Sequence, residues 1–179
     1  LQAWDAHESV ESGAAALYET WAWKHLGRAT VAAAAPAAAR AAIGQGTPDS
    51  ILTWLEGQPA SVRNPLILAS LADAVAELKG RLGPDMATWS WGRLHQAKFV
   101  PAVAALADPG LAAQMSLGPL AVPGSASTPR AATWRAGDFV QTAGASVRLV
   151  LDVGAWDTSM AINTPGQSAD PMSPHYRDL

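Results

Sequence analysis

Apolar residues recur at three- and four-residue spacing through the first half of the chain. Val10, Ala14, Leu17, Trp21 and Leu26 fall on one stripe, which predicts a helix over residues 9–26. Ser9 would cap it, with Glu11 in the first turn where the helix dipole favours a negative charge. The Ala-rich run 30–43 reads as helical in pieces, broken at Pro36 and closed by Gly44 and Gly46. Thr47-Pro48-Asp49 is a strong helix start, combining a cap, a proline at the first position and an acid at the second. Ile51, Leu52, Trp54 and Leu55 follow, and Gly57 ends the segment. Residues 59–63 read as a linker and Asn64-Pro65 as a second start. Ile67 or Leu68, Leu71, Val75, Leu78 and Leu82 then give the cleanest amphipathic stripe, with Glu77 and Arg81 spaced for an ion pair. Gly83-Pro84 stops it.

Beyond Asp85 the pattern changes. Residues 85–135 are irregular, with short helical turns expected over 102–106 and 111–115. The Pro/Gly/Ser-rich stretch 118–129 reads as a loop. Strict alternation returns at 146–152. Val147, Leu149 and Leu151 point one way, Arg148, Val150 and Asp152 the other, and apolar Val150 predicts that the second face is also partly covered. Gly154 starts a turn carrying Trp156-Asp157-Thr158, and 159–163 returns as a strand. Residues 164–168 must leave the sheet, because Pro165 has no N–H for a ladder and Gly166 tolerates positive φ. Helices first and strands last predict an α+β chain. It is read as one piece, with 1–84 mainly helical, 85–135 irregular and 136–179 the strand pair and its loop. A boundary near Pro84 is the candidate division.

Composition sharpens this picture. Charged residues make up 15% of the 179, against about a quarter in ordinary domains, which suits a piece that lies against other protein. The net charge of −3 carries no basic stripe, so nucleic acid is not an expected partner. The absence of Cys excludes disulfide and thiolate chemistry. No uninterrupted run of ~18 apolar residues exists, so no membrane-spanning helix is expected. The start, LQAWDAHES, lacks the basic and apolar regions of a signal peptide. The eight Trp are expected in a core, although a Trp-rich binding face on a non-catalytic helical interaction module is the competing reading.

Candidate chemistry is sparse. His7, His25, His95 and His175 form no metal-ligand pattern. Ser146 with His95 or His175 would make a triad only in the sense that any Ser, His and Asp would, and no GxSxG elbow is present. Asp157 is expected to cap the turn and Asp152 to meet Arg148 or water. Arg148 sits inside an apolar strand and needs a carboxylate or carbonyl partner, as a structural ion pair or in a pocket. The polar groups of Asn163, Gly166 and Gln167, at a strand end and tight loop, are the best candidates for closeness to a site.

Several segments carry a resemblance. Leu1-Gln2-Ala3-Trp4-Asp5, Trp89-Ser90-Trp91-Gly92-Arg93-Leu94-His95, Ser116-Leu117-Gly118-Pro119-Leu120, and above all the run from Ala145-Ser146-Val147-Arg148 through INTPGQS to Ser173-Pro174-His175-Tyr176 resemble, in order, the late β-subunit of the penicillin acylase family. These are N-terminal-nucleophile (Ntn) amide hydrolases. The resemblance implies that the strands belong to the sheets of an αββα sandwich. It implies a parent enzyme that cleaves a side-chain amide through an acyl-enzyme, with remaining α- and β-subunit segments as partners and a small-molecule amide as substrate. The nucleophile would be a Ser at the start of the β-subunit whose own amine is the base. Leu1 has no hydroxyl, so no catalytic residue is carried over to this chain. Ser146, Arg148, Asn163, Gly166, Gln167 and His175 are supporting candidates only. The resemblance also implies calcium in the parent, bound outside this chain, and a periplasmic or secreted location.

Overall fold

The computed structural model describes residues 1–164 and 166–178. Pro165, part of the predicted sheet exit, and Leu179 lie outside the described residues. The chain divides into two units, Leu1–Arg93 and the residues from Leu94 onward.

In the first unit, Ser12 rather than Ser9 caps the first helix. Its side chain accepts from Ala15 N at 3.0 Å, while the Ser9 carbonyl is taken by Ser12 N in a preceding turn. Helix α1 (Gly13–Tyr18) continues as a wider π-helical segment (Glu19–Leu26) and then as α2 (Gly27–Ala34). Ala35 turns to extended backbone before Pro36, so α3 (Ala37–Ile43) starts afresh, as the sequence predicts. Helix α4 (Pro48–Glu56) begins with a full capping box, Thr47 and Ser50 each accepting the other's backbone N–H.

Helix α5 (Ala60–Leu82) starts a turn earlier than the sequence suggests, so 59–63 is not a linker and Pro65 lies inside the helix. That proline forgoes one backbone hydrogen bond. Leu66 and Ile67 pack against the buried Leu26, Ile51 and Leu55, and this packing holds the helix through it. The buried line of α5 is Ser70, Ala74, Leu78 and Leu82, with Leu71 and Val75 only half-buried beside it. Small residues at 70 and 74 let the π-helical segment approach closely. Trp21 Nε1 donates to Ser70 Oγ at 3.0 Å. Glu77, on the same contact, receives Lys24 at 2.5 Å, Arg81 at 2.8 Å and lies 2.8 Å from His25 Nε2.

The second unit is built from three antiparallel strand pairs. Strand β1 (Gln96–Phe99) pairs with β2 (Leu117–Ala121), β3 (Thr133–Trp134) with β4 (Gln141–Ala143), and β5 (Val147–Val150) with β6 (Met160–Asn163). The predicted loop 118–129 therefore begins as strand β2. The expected helical turns appear as a 3₁₀ segment, Ala102–Leu106, and as α6 (Pro109–Met115), which Asp108 caps. A small core gathers Ala97, Val122 and Ala132. Phe139 is fully buried and stacks on Trp134, with ring centroids 4.9 Å apart. Helices followed by small antiparallel pairs are compatible with an α+β class.

The β5–β6 hairpin corrects one expectation. Its register, Val147 opposite Asn163 through Val150 opposite Met160, is the predicted one. The expected cover on its second face is missing: Val147, Leu149 and Leu151 are 58–60% exposed, and Val150 on the opposite face is 65% exposed. Both apolar faces stand open within this chain.

Candidate functional site

The second unit carries a groove of about 410 Å³. Its apolar floor comes from Ala97 and Phe99 of β1 with Leu120 and Val122 at β2. Strand β4, the linker Gly144-Ala145, Ser146 and Arg148 form one wall, and Thr164 closes an end. On β5 period-two alternation explains the lining. Lys98 also reaches the groove edge, and Arg148 alternates with the outward Val147 and Leu149 on β5.

Of the sequence candidates, Ser146 and Arg148 meet in this groove. The Ser146 carbonyl accepts Thr164 N at 2.8 Å, which fixes where the hairpin closes. Arg148 has no carboxylate or carbonyl partner among the described residues, so the structural ion pair is not formed. Asp152 does not meet it. Instead Asp152 accepts from Gly154 N at 2.9 Å, Ala155 N at 3.1 Å and Thr158 Oγ1 at 3.1 Å. Those hydrogen bonds, led by the Gly154 amide, hold its carboxyl below the usual range. The turn is therefore capped by Asp152, not by Asp157. Sequence reasoning missed Arg130 and Lys98, which line the same groove. Arg130 sits in a loop with no periodic signal. Burial lowers its pKa first, and the nearby Arg148 charge lowers it further.

Asn163 and Gln167 lie instead in a second, shallower depression with Asp178. Gln167 Nε2 donates back to the Asn163 backbone carbonyl at 2.9 Å, so the Gln167 amide stitches the loop to the end of β6. Gly166 passes close to the tail: a Cβ there would lie 2.5 Å from the Tyr176 carbonyl oxygen and 2.6 Å from that of His175. The amides of Gln167 and Ser168 donate to the His175 carbonyl at 3.0 and 3.3 Å. Tyr176 is anchored in turn, its hydroxyl donating to the Met115 carbonyl at 2.6 Å. The His175 ring is exposed and pairs with Asp178 at 2.8 Å. Neither His175 nor buried His95 lies among the residues around Ser146 in the groove. His95 Nδ1 lies 3.0 Å from the Val122 carbonyl, and burial lowers its pKa. The triad drawn on Ser146 is thus not assembled.

Replacing Gly166 by Ala forces a methyl against two carbonyl oxygens. The expected cost is about 1–3 kcal/mol, confined to the loop, and faster hydrogen exchange at the Gln167 and Ser168 amides would report it.

The calcium that the resemblance implies finds no fit here: among the described residues, no three His, Asp or Glu side chains gather. No helix among them is long and apolar enough to cross a membrane. Trp89 and Trp91 are 4% and 0% exposed. The tryptophans of the WSWGR segment therefore belong to the core, not to a binding face.

The chain belongs to the penicillin amidase family, whose model matches residues 1–179. Among its relatives are acyl-homoserine lactone acylases. The QuiP acylase of Pseudomonas putida is 37% identical over 123 residues, covering 67% of this chain and 14% of the relative. QuiP of Pseudomonas aeruginosa is 34% identical over 132 residues, covering 67% and 16%. QuiP of Pseudomonas fluorescens strain Pf-5 is 33% identical over 126 residues, covering 69% and 14%. The match thus spans about one seventh of these relatives' length. Amide-cleaving acylases are the company this sequence keeps.

Proposed function

We propose that this chain is a late β-subunit portion of an Ntn amidohydrolase that cleaves a side-chain amide through an acyl-enzyme. The attacking hydroxyl belongs to an N-terminal Ser outside these residues. The observation that carries the reading is the family match over the whole chain together with its small share of much longer acylases. The open β5–β6 hairpin supports it: an edge and two apolar faces left uncovered call for further strands, as an αββα sandwich would supply. The residues around Arg148, Asn163, Gly166 and Gln167 then shape and brace a sheet and perform no bond chemistry. The relatives' names make an N-acyl-homoserine lactone the first substrate to try, with penicillin and cephalosporin amides next. Any calcium is assigned to the parent outside this chain, and the parent to the periplasm or the exterior.

The test has two arms. The 179-residue chain alone should neither hydrolyse an N-acyl-homoserine lactone nor be acylated by a serine-directed reagent. Stoichiometric acylation of it would overturn the reading. N-terminal sequencing of the source protein should find a companion chain beginning with Ser, and a native start at Leu1 with no companion would sink it.

A further inference from the structure

Two arginines line one groove, and neither has a partner among the described residues. Among the described residues, no carboxylate or carbonyl meets the Arg130 or Arg148 guanidinium, and no acidic residue lines the groove. The two like charges are close enough to act on each other. Lys98 adds a third cation at the edge, partly offset by Asp138, which is itself engaged by Arg135. A fold does not ordinarily gather cations without a counter-charge, because each raises the cost of the next. Beneath them the floor is apolar, with Phe99, Leu120 and Val122. The volume of about 410 Å³ falls within the range of small-molecule pockets, roughly 300–1,000 Å³.

From these observations we propose that the groove between β1–β2 and β4–β5 binds a small monocarboxylate with a short apolar tail, its head between Arg130 and Arg148 and its tail over Phe99 and Leu120. Guanidinium forks match a carboxylate's two oxygens, which favours this head group over a single-point anion. The apolar floor selects against a bare inorganic anion, which would leave Phe99 and Leu120 facing water. The Ser146 hydroxyl, at the same wall, is a further donor within the groove. Binding requires no catalysis, so the assignment stands or falls apart from the acylase reading.

The test is a titration of the isotope-labelled 179-residue chain with hexanoate, hexanamide, acetate and a short peptide bearing one Glu. Hexanoate should give saturable shifts at residues 97–99, 120–122 and 141–148. Hexanamide and acetate should each bind at least roughly tenfold more weakly, the loss expected when a charge-assisted contact or the buried tail is removed. Arg148→Gln and Arg130→Gln should each weaken hexanoate by a similar factor, and Arg148→Lys should restore part of it. Unchanged dispersion of the spectrum shows that each variant is folded. Equal binding of hexanoate and hexanamide would overturn the proposal. So would indifference to both arginine changes, or shifts elsewhere in the chain. Tighter binding of the Glu peptide than of hexanoate would also overturn it, by making the groove a docking place for an acidic protein segment.

Discussion

Exchanging Glu77 for Gln should lower the stability of residues 1–93 by about 3 kcal/mol at pH 7. Lys24, His25 and Arg81 converge on the Glu77 carboxylate. Its side chain is 16% exposed and that of Lys24 10%, so solvent screens the group weakly. Burial alone would raise the Glu77 pKa. The hydrogen bonds from Lys24, His25 and Arg81 outweigh that and bring it down to about 2. A drop from 4.5 to about 2 corresponds to about 3 kcal/mol at 1.36 kcal/mol per pH unit. Removing one partner of a buried pair costs about 3–5 kcal/mol by a separate route, because Lys24 would lose the Glu77 carboxylate. The two figures agree. The sign follows from the direction of the shift. A carboxylate with a depressed folded pKa stabilises above its unfolded pKa, and that contribution is lost as pH falls from about 4.5 towards 2. Urea melts of the native chain at pH 7 and pH 3, followed by Trp fluorescence, should therefore show a larger loss on acidification than melts of Glu77→Gln. Parallel pH dependence in the two proteins would show that the cluster is not the source.

Half of that cluster was legible in the sequence. The Glu77 and Arg81 spacing is a local property of one helix, and it formed. Lys24 and His25 come from 53 and 52 residues away, and nothing local announces them. The same division runs through the chain. Capping chemistry placed α4, and Pro36 placed the break between α2 and α3, because those signals act within a turn. Pro65 misled, because a proline is a start signal only when tertiary packing does not carry the helix past it. Ser9 misled because Ser12, three residues on, offers the same chemistry. In the second unit, alternation found the β5–β6 pair. It also predicted cover over Val150, which requires a partner surface that the described residues do not supply. Arg148 was visible as a charge among apolar neighbours, while Arg130 was not. A loop residue acquires meaning only from what the fold sets opposite it. The stretch Thr142-Ala143-Gly144-Ala145 gave no hint that it would line a groove.

Truncating Trp91 to Ala should be the costliest single change in the first unit, at about 3–5 kcal/mol. The WSWGR segment supports the resemblance to acylases, yet its role in the structure is mechanical. Trp91 is fully buried. Its backbone N–H donates to the Ser12 carbonyl at 3.1 Å, and that of Gly92 donates to Val10 at 2.8 Å, so the segment seals the start of α1. Trp89 braces the same place. Its carbonyl oxygen would stand 2.9 Å from any Cβ at residue 13, which is why Gly13 opens the helix. Its indole N–H donates to the Gly83 carbonyl at 2.9 Å. Arg93 reaches the Leu82 carbonyl at 3.2 Å, capping the end of α5. The segment thus clamps the beginning of one helix to the end of another, and the Trp91 side chain is fully buried within it. Removing a fully buried indole leaves a cavity into which the surroundings relax only in part. Calorimetry should show Trp91→Ala losing at least as much stability as Glu77→Gln, with the loss persisting at pH 3 because packing carries no proton. Trp91→Phe, which keeps a ring, should recover a substantial part. A Trp91→Ala protein as stable as the parent would mean that residues 89–93 rest on the helices without holding them.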